Sequence, residues 1–257
     1  MSDIRVENQD GILLLTFDRP AKKNAITDAM YGVLADAMEA AEADPDVRVL
    51  LFAGEGDMFT AGNDLSDFAA ANAGGAASGG PRHVARFLAA LAGARKPLVA
   101  AVHGKAVGVG TTMLLHCDHV ILAEGTELSV PFVSLALVPE AASSRLLVER
   151  IGHARAYAMF ALGDSVKAED AVQWGIANRA VPANVLRAAA MQVAERLAAQ
   201  PLGALVATKA IMRDSTAIAT LIERESRVFA ERLRTPEAAE AFTAFAERRK
   251  PDFRKFR

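Results

Sequence analysis

The sequence predicts an α/β core that gives way to a helical tail. Short continuous apolar runs recur through the first half, and helical periodicity lies between them. From Ala141 onward nearly every segment has helical composition. Strands alternating with helices imply an α/β layer architecture.

Gly11 to Phe17 (GILLLTF) and Val47 to Phe52 (VRVLLF) read as strands. Between them Met30, Val33, Leu34, Ala37 and Met38 recur at helical spacing, with Thr27 placed to cap that helix. Pro97 to Gly104 (PLVAAVHG) reads as a third, buried strand and His119 to Ala123 (HVILA) as a fourth. Helices are expected at 143–151, 154–162, 168–174, 184–199, 202–213, 217–233 and 236–248. Gly152, Gly163, Gly175 and Pro201 punctuate them. The change from α/β to all-helical is expected near residues 190–200. The low-complexity run Ala71 to Gly80 (ANAGGAASGG) predicts a flexible loop, with a lid over a site and a surface insertion as equal readings.

At 257 residues and 52% hydrophobic, the chain supports one sizeable core, or one core with a smaller appendage, and not a disordered segment. Its net charge of -2 gives no reason to expect a nucleic-acid partner. The single cysteine, Cys117, excludes an intrachain disulfide framework. The polar, mixed-charge start MSDIRVENQDG resembles neither a signal peptide nor a presequence. No run approaches the roughly 18 apolar residues of a membrane helix. The expectation is a soluble, cytoplasmic protein.

Two stretches have the form of strand-to-helix turns with outward-pointing amides. One is His103 to Asp118 (HGKAVGVGTTMLLHCD), with Gly108, Val109 and Gly110 at the junction. The other is Phe59 to Phe68 (FTAGNDLSDF). Free N–H groups at a helix start attract negative charge. A dinucleotide fingerprint would need a glycine at Met113, and the P-loop ending is absent. An oxyanion hole is the other use of such a turn, and a tight helix–strand crossing is the purely structural one. Two such turns about 45 residues apart suggest two donors converging on one oxygen.

Other chemistries are weaker. His116, Cys117, Asp118 and His119 are adjacent in sequence and cannot all face one ion, so no metal site is expected. No Gly-x-Ser-x-Gly elbow occurs. The acidic neighbour of Cys117 disfavours a thiolate. The basic end ERRKPDFRKFR reads as a solvated terminus or, less favoured, a contact to an anionic ligand. One carboxylate stands out. Glu140 lies in LALVPEAASS, ten residues with no other charge, where an acidic group is normally paired or used.

Taken together, these stretches resemble the crotonase superfamily, the enoyl-CoA hydratase/isomerase family. LTFDRPAKKNAIT, FTAGNDLSDF, the long segment from AVHGKAVGVG through VPEAASSRLL, GDSVKAEDAVQWGIANRAV and FAERRKPDF occur in the family's order. The resemblance implies a crotonase-like spiral of β-β-α turns with a helical C-terminal region. Residues 1–195 would form the core and 196–257 a helical trimerisation region, giving a homotrimer or dimer of trimers. It implies acyl-CoA thioesters as ligands, with coenzyme A entering as part of the substrate and no separate cofactor. The oxyanion hole would be the backbone N–H groups of Asn63 and Val109. Ala61, Asp64, Leu65 and Gly108 would line the CoA path, and Lys22 or Lys23 would approach the CoA phosphates. Phe132 and Leu135 would face the acyl pocket, with Phe59, Phe68 and Phe87 as further candidates.

One departure bears on the chemistry. Hydratases of the family carry two glutamates, and those positions here read Thr112 and Phe132. AGNDL, AVGVGTTMLL and VPEAASS instead resemble the 3,2-enoyl-CoA isomerase branch, whose single catalytic glutamate maps onto Glu140. The expected reaction is isomerisation of 3-enoyl-CoA to trans-2-enoyl-CoA. Hydration or another crotonase-type reaction, a non-catalytic acyl-CoA-binding subunit, and more distantly a nucleotide-dependent oxidoreductase are the alternatives.

Overall fold

The four predicted strands lie side by side in one sheet. In the computed structural model, which describes residues 3–64 and 82–256, they are β2 (Ile12–Phe17), β3 (Val49–Gly54), β4 (Leu98–Val102) and β6 (His119–Ala123). Leu65, Phe68 and the Ala71–Gly80 loop lie outside the described residues. Two unpredicted strands complete the sheet, β1 (Ile4–Gln9) at one edge and β9 (Arg179–Val181) at the other, in the order β1-β2-β3-β4-β6-β9. Only the β1–β2 pair is antiparallel. The β1 run IRVENQ buries Ile4 alone, so it carries no apolar signature of its own. The second predicted strand starts two residues later than its apolar run because its register is fixed by pairing Ile12 with Val49 and Phe17 with Gly54.

The four central strands are almost continuously apolar because both faces of the sheet are covered there. Leu13, Leu15, Leu50, Phe52, Leu98, Ala100, Val120 and Leu122 face the main core. Ile12, Leu14, Val49, Leu51, Val99, Ala101 and Ile121 alternate with them and pack against Leu186, Ala190, Val193 and Ala194.

A second sheet holds β5 (Lys105–Val107), β7 (Glu127–Ser129) and β8 (Val166–Lys167). The chain passes repeatedly from the first sheet to the second, from β4 through Gly104 to β5 and from β6 through Gly125 to β7. An isolated bridge between Thr60 and Ala106 adds the segment after β3 in the same way. This is a spiral of β-β turns closed by helices, an α/β fold.

The helices follow in order: α1 (Asp28–Ala43), α2 (Arg82–Gly93), α3 (Val109–Thr112), α4 (Ser143–Ile151), α5 (His153–Tyr157), α6 (Ala168–Gln173), α7 (Leu186–Ala198), α8 (Leu202–Met212), α9 (Ser215–Leu233) and α10 (Pro236–Ala246). Thr27 does cap α1, its hydroxyl accepting from the Met30 N–H. The expected helix 154–162 is instead α5 running into a π-helical turn, Ala158–Leu162. The near-uniform helical reading after Ala141 is corrected by β8 and β9. At two and three residues they are too short to show a period. Ile218 and Ile222 of α9 and Ala238 and Phe242 of α10 join the same main core as the sheet. No described helix is long and apolar enough to cross a membrane.

Candidate active site

The segment after β2 builds the first turn. Asn24 is fully buried, and its side-chain amide donates to the carbonyls of Glu55, Met58 and Phe59. The Lys23 carbonyl accepts from the Ala61 N–H, and Ile26 bridges to Asn63. That bridge uses the Gly62 carbonyl and the Asp64 N–H. Successive peptide groups of an extended segment point to opposite sides, so the Asn63 N–H is turned away from Ile26.

The second turn comes up against the first. Gly62 adopts φ +84°, and a Cβ there would lie 2.6 Å from the Val107 carbonyl oxygen. Only glycine allows this approach. Gly108 leads into α3 with φ 56° and ψ -119°, a region open to glycine alone. It leaves Val109 as the first residue of α3, where a helical N–H has no partner within the helix. Among the described residues neither the Asn63 nor the Val109 N–H has a backbone acceptor. Two amides on abutting turns are thus free to meet one oxygen.

Beside them lies a cavity of about 480 Å³ lined by Ala61, Gly62, Asn63, Val107, Gly108, Pro131, Phe132, Ser134, Leu135, Leu137, Phe229, Ala241, Phe245, Arg249 and Pro251. Five of the expected residues stand on this wall: Ala61, Asn63, Gly108, Phe132 and Leu135. Phe59 and Phe87 are instead fully buried in the main core. Lys22, Lys23 and Asp64 are not on the wall. Lys22 is exposed, the Lys23 ammonium pairs with Asp57, and the Asp64 carboxylate accepts from Arg19 at 2.8 Å. The Lys23 and Asp64 pairs brace the first turn. Leu65 lies outside the described residues.

Glu140 sits one hydrogen bond behind the wall. It is 6% exposed. The Asn63 side-chain amide donates to its carboxylate, and the Tyr31 hydroxyl in turn donates to the Asn63 side-chain oxygen. The other oxygen, Oε1, is buried with no hydrogen-bond partner among the described residues. Burial pushes the Glu140 pKa up to about 7, with a further rise from the Glu225 charge and an opposing pull from Asn63. A helix start at Ala141 would favour the anion, but α4 begins two residues later. Its first free amides, on Ala142 and Ser144, are taken by Glu225 at 2.6 and 3.1 Å.

The residues that hold Glu140 were not visible in the sequence. Ala141 and Ala142 are both left-handed, at φ 59° and 56°, and the Ser143 N–H closes the turn on the Glu140 carbonyl. His116 bonds the Ala141 carbonyl through Nε2 at 2.8 Å, and Arg213 bonds its Nδ1 at 2.5 Å. A guanidinium can only donate, so Nδ1 accepts and Nε2 carries the proton. Burial first, then Arg213, hold the His116 pKa down at about 3, so the ring is neutral. The rest of the His116–His119 run points elsewhere. Cys117 contacts the Met113 carbonyl, and Asp118 bonds Leu98 N–H and Lys209. Among the described residues no three His, Cys, Asp or Glu side chains are grouped to hold a metal.

Known proteins share this chain's sequence and fold. Residues 7–256 match the profile of the enoyl-CoA hydratase/isomerase family. The 2,3-dehydroadipyl-CoA hydratase of Escherichia coli is 32% identical over 256 residues, 99% of both chains. The 1,2-epoxyphenylacetyl-CoA isomerase of the same organism is 33% identical over 251 residues, 95% of both. A solved enoyl-CoA hydratase/isomerase from Pseudoalteromonas atlantica superposes with a TM-score of 0.91 at 37% identity, covering 98% of this chain and 100% of that one. With the family profile spanning nearly the whole chain and the fold superposing over its full length, this chain belongs to the enoyl-CoA hydratase/isomerase family and is an acyl-CoA enzyme of crotonase fold.

Proposed function

We propose that the protein isomerises 3-enoyl-CoA to trans-2-enoyl-CoA with Glu140 as its only acid–base group. The observation that carries this is what stands at the two positions where the family's hydratases carry glutamate. Thr112 is fully buried, and its hydroxyl leans on the Val109 carbonyl at 3.5 Å. Phe132 lines the cavity and packs on Phe160 with ring centroids 6.2 Å apart. Neither can activate water.

One base suffices for moving the double bond. Glu140 takes a proton from C2, and the C–H electron pair flows through the thioester carbonyl onto its oxygen. The resulting dienolate oxygen is held by the Asn63 and Val109 N–H groups. Glu140, now neutral, returns the proton to C4, the C2–C3 double bond forms, and the thioester carbonyl is restored. A carboxyl that titrates near 7 is suited to both halves, because it neither holds nor releases its proton too strongly at neutral pH. An oxyanion donor contributes about 3 kcal/mol to such a transition state. This chemistry calls for no resident metal or redox cofactor. The apolar cavity wall suits a hydrocarbon acyl chain.

The same proposal includes self-association as a homotrimer or a dimer of trimers. Ile211 and Met212, adjacent on α8, are 88% and 81% exposed and would offer an apolar contact to a second copy.

The test is conversion of a 3-enoyl-CoA to the 2-enoyl-CoA by wild type beside Glu140→Ala, over several chain lengths. Activity lost in the variant with acyl-CoA binding retained supports the proposal. Tight binding with no turnover by wild type would indicate a binding subunit. Hydration of a 2-enoyl-CoA that survives Glu140→Ala would favour the hydratase reading, which the Escherichia coli relative's name suggests.

A further inference from the structure

Glu225 occupies an unusual place. Helix α9 buries three residues, Ile218, Ile222 and Glu225, at the i, i+4, i+7 spacing of a core-facing stripe. An apolar side chain is the normal occupant of the third position. The carboxylate is 7% exposed. It accepts from the Ala142 N–H on one oxygen and from the Ser144 N–H and hydroxyl on the other. Among the described residues no arginine, lysine or histidine pairs with it.

These contacts fall on the turn that carries Glu140. Helix α4 has no side-chain cap of its own, since Ala142 stands at its N-cap in a left-handed conformation. Glu225 serves as that cap from 83 residues away. Two consecutive left-handed alanines are each disfavoured, and they persist here because Glu225 grips the amide side of the turn while His116 grips the Ala141 carbonyl. The groups that face Glu140 are the Tyr31 hydroxyl from α1, the Asn63 amide from the first turn and Glu225 from α9. Neutral His116 stands one residue along its backbone, with the Arg213 charge behind the ring. Burial pushes the Glu225 pKa up while its three donors from Ser144 and Ala142 pull it back, and as a carboxylate it is the charge that acts on Glu140.

We propose that Glu225 is a positioning residue for the reaction. It clamps the Ala141–Ala142 turn so that Glu140 meets the substrate in one orientation, and its unneutralised charge makes Glu140 a stronger base. The kinetic part of this inference rests on the isomerase proposal, while the clamp and the charge do not. Burial and the Glu225 charge act in the same direction on Glu140, so removing the charge alone separates the two.

The test is Glu225→Gln in the full chain. Glutamine keeps the size and one acceptor but loses the charge and sets an NH₂ group among donors. The Glu140 carboxyl is followed by ¹³C NMR titration, assigned against Glu140→Gln, and 3-enoyl-CoA kinetics are measured across pH. The Glu140 midpoint is expected to fall by about one pH unit. The acid limb of kcat/KM should move down with it, and kcat should drop roughly tenfold or more with KM held within about threefold. A midpoint and limb that coincide with wild type, even in a less stable protein, would overturn the proposal and leave Glu225 a structural cap. If wild type does not isomerise, the isomerase reading fails, but the NMR midpoint still decides the role of Glu225. If Glu225→Gln does not fold, Ser144→Ala takes its place. Removing one donor leaves the charge less compensated, so the Glu140 midpoint should rise, and an unchanged midpoint would overturn the proposal.

Discussion

The two amide turns and the Glu140 turn all hold backbone in disfavoured conformations, by opposite means. The amide turns use glycine. Gly62 and Gly108 reach φ +84° and +56° with no side chain to object, so each turn is stable from its own sequence and a few neighbours. The Glu140 turn uses alanine at φ 59° and 56° and is held open by Glu225, His116 and Arg213 from distant parts of the chain. Local glycine makes a rigid donor. In the proposed reaction, distant side chains make a base whose orientation and proton affinity can be set separately.

Removing the base should have the largest effect. Glu140→Ala is expected to lower isomerase kcat by roughly 10²- to 10⁴-fold, with acyl-CoA affinity, measured by calorimetry, close to wild type. A rate retained within tenfold would mean that another group moves the proton.

The glycines then split the amide turns into two kinds of failure. At Gly108 an added Cβ meets nothing within 4 Å, so the penalty of Gly108→Ala is backbone strain of about 1–3 kcal/mol. Relief of that strain rotates the Val109 N–H, and kcat is expected to fall roughly 10²-fold or more while the protein still melts cooperatively. At Gly62 the Cβ would lie 2.6 Å from the Val107 carbonyl oxygen as well as at positive φ. Gly62→Ala should therefore lose roughly 2–5 kcal/mol of stability. Urea denaturation of the two variants would read the difference directly, and equal stability losses would show that the turns do not abut as described.

Stability against pH isolates the Glu140 environment. Its folded pKa of about 7 lies above the ordinary value of 4.5. Between these values the folded protein holds a proton that the unfolded chain has released, so stability falls as pH rises from about 4.5 to 7. The full difference is on the order of 3 kcal/mol. Glu140→Gln abolishes the effect, so its stability relative to wild type should be near zero at pH 4.5 and positive at pH 8. A difference that does not change with pH would place Glu140 in a far more polar setting.

Much of the molecule was legible in the sequence because its signals are local. The four central strands are continuous apolar runs, and Thr27 precedes the α1 periodicity. The glycines of both turns stand where their φ angles require them. What escaped detection was carried by contacts distant in sequence. β1 has only Ile4 and Val6 as apolar residues, and Val6 is exposed, while β8 and β9 are too short to have a period. Phe229, Phe245, Arg249 and Pro251 reach the cavity wall only because α9 and α10 fold back over it. The sequence singled out Glu140 by its uncharged surroundings. Its partners, Tyr31 on α1 and Glu225 on α9, look like ordinary helix residues until the chain is folded.

The smallest effects should come from the hydrogen-bond chain Tyr31–Asn63–Glu140, and they distinguish side chain from backbone at one residue. In the proposed reaction Asn63 contributes its N–H to the oxyanion side and its side-chain amide to the base. Asn63→Ala keeps the first and removes the second. The lost donor had stabilised the carboxylate, so the Glu140 midpoint and the acid limb of kcat/KM should rise above about 7. Loss of rate should then be recovered in part at higher pH. Tyr31→Phe leaves both Asn63 groups in place and removes only the hydroxyl that orients the amide. One buried hydrogen bond contributes about 1 kcal/mol, so a change of roughly fivefold in kcat is the upper bound, with the pH limb shifted less than in Asn63→Ala. If Tyr31→Phe moved the limb as far as Asn63→Ala, the hydroxyl itself would be fixing the charge of Glu140. If neither moved it, the amide would be steering the carboxylate without stabilising it, and Glu140 would owe its basicity to burial and Glu225 alone.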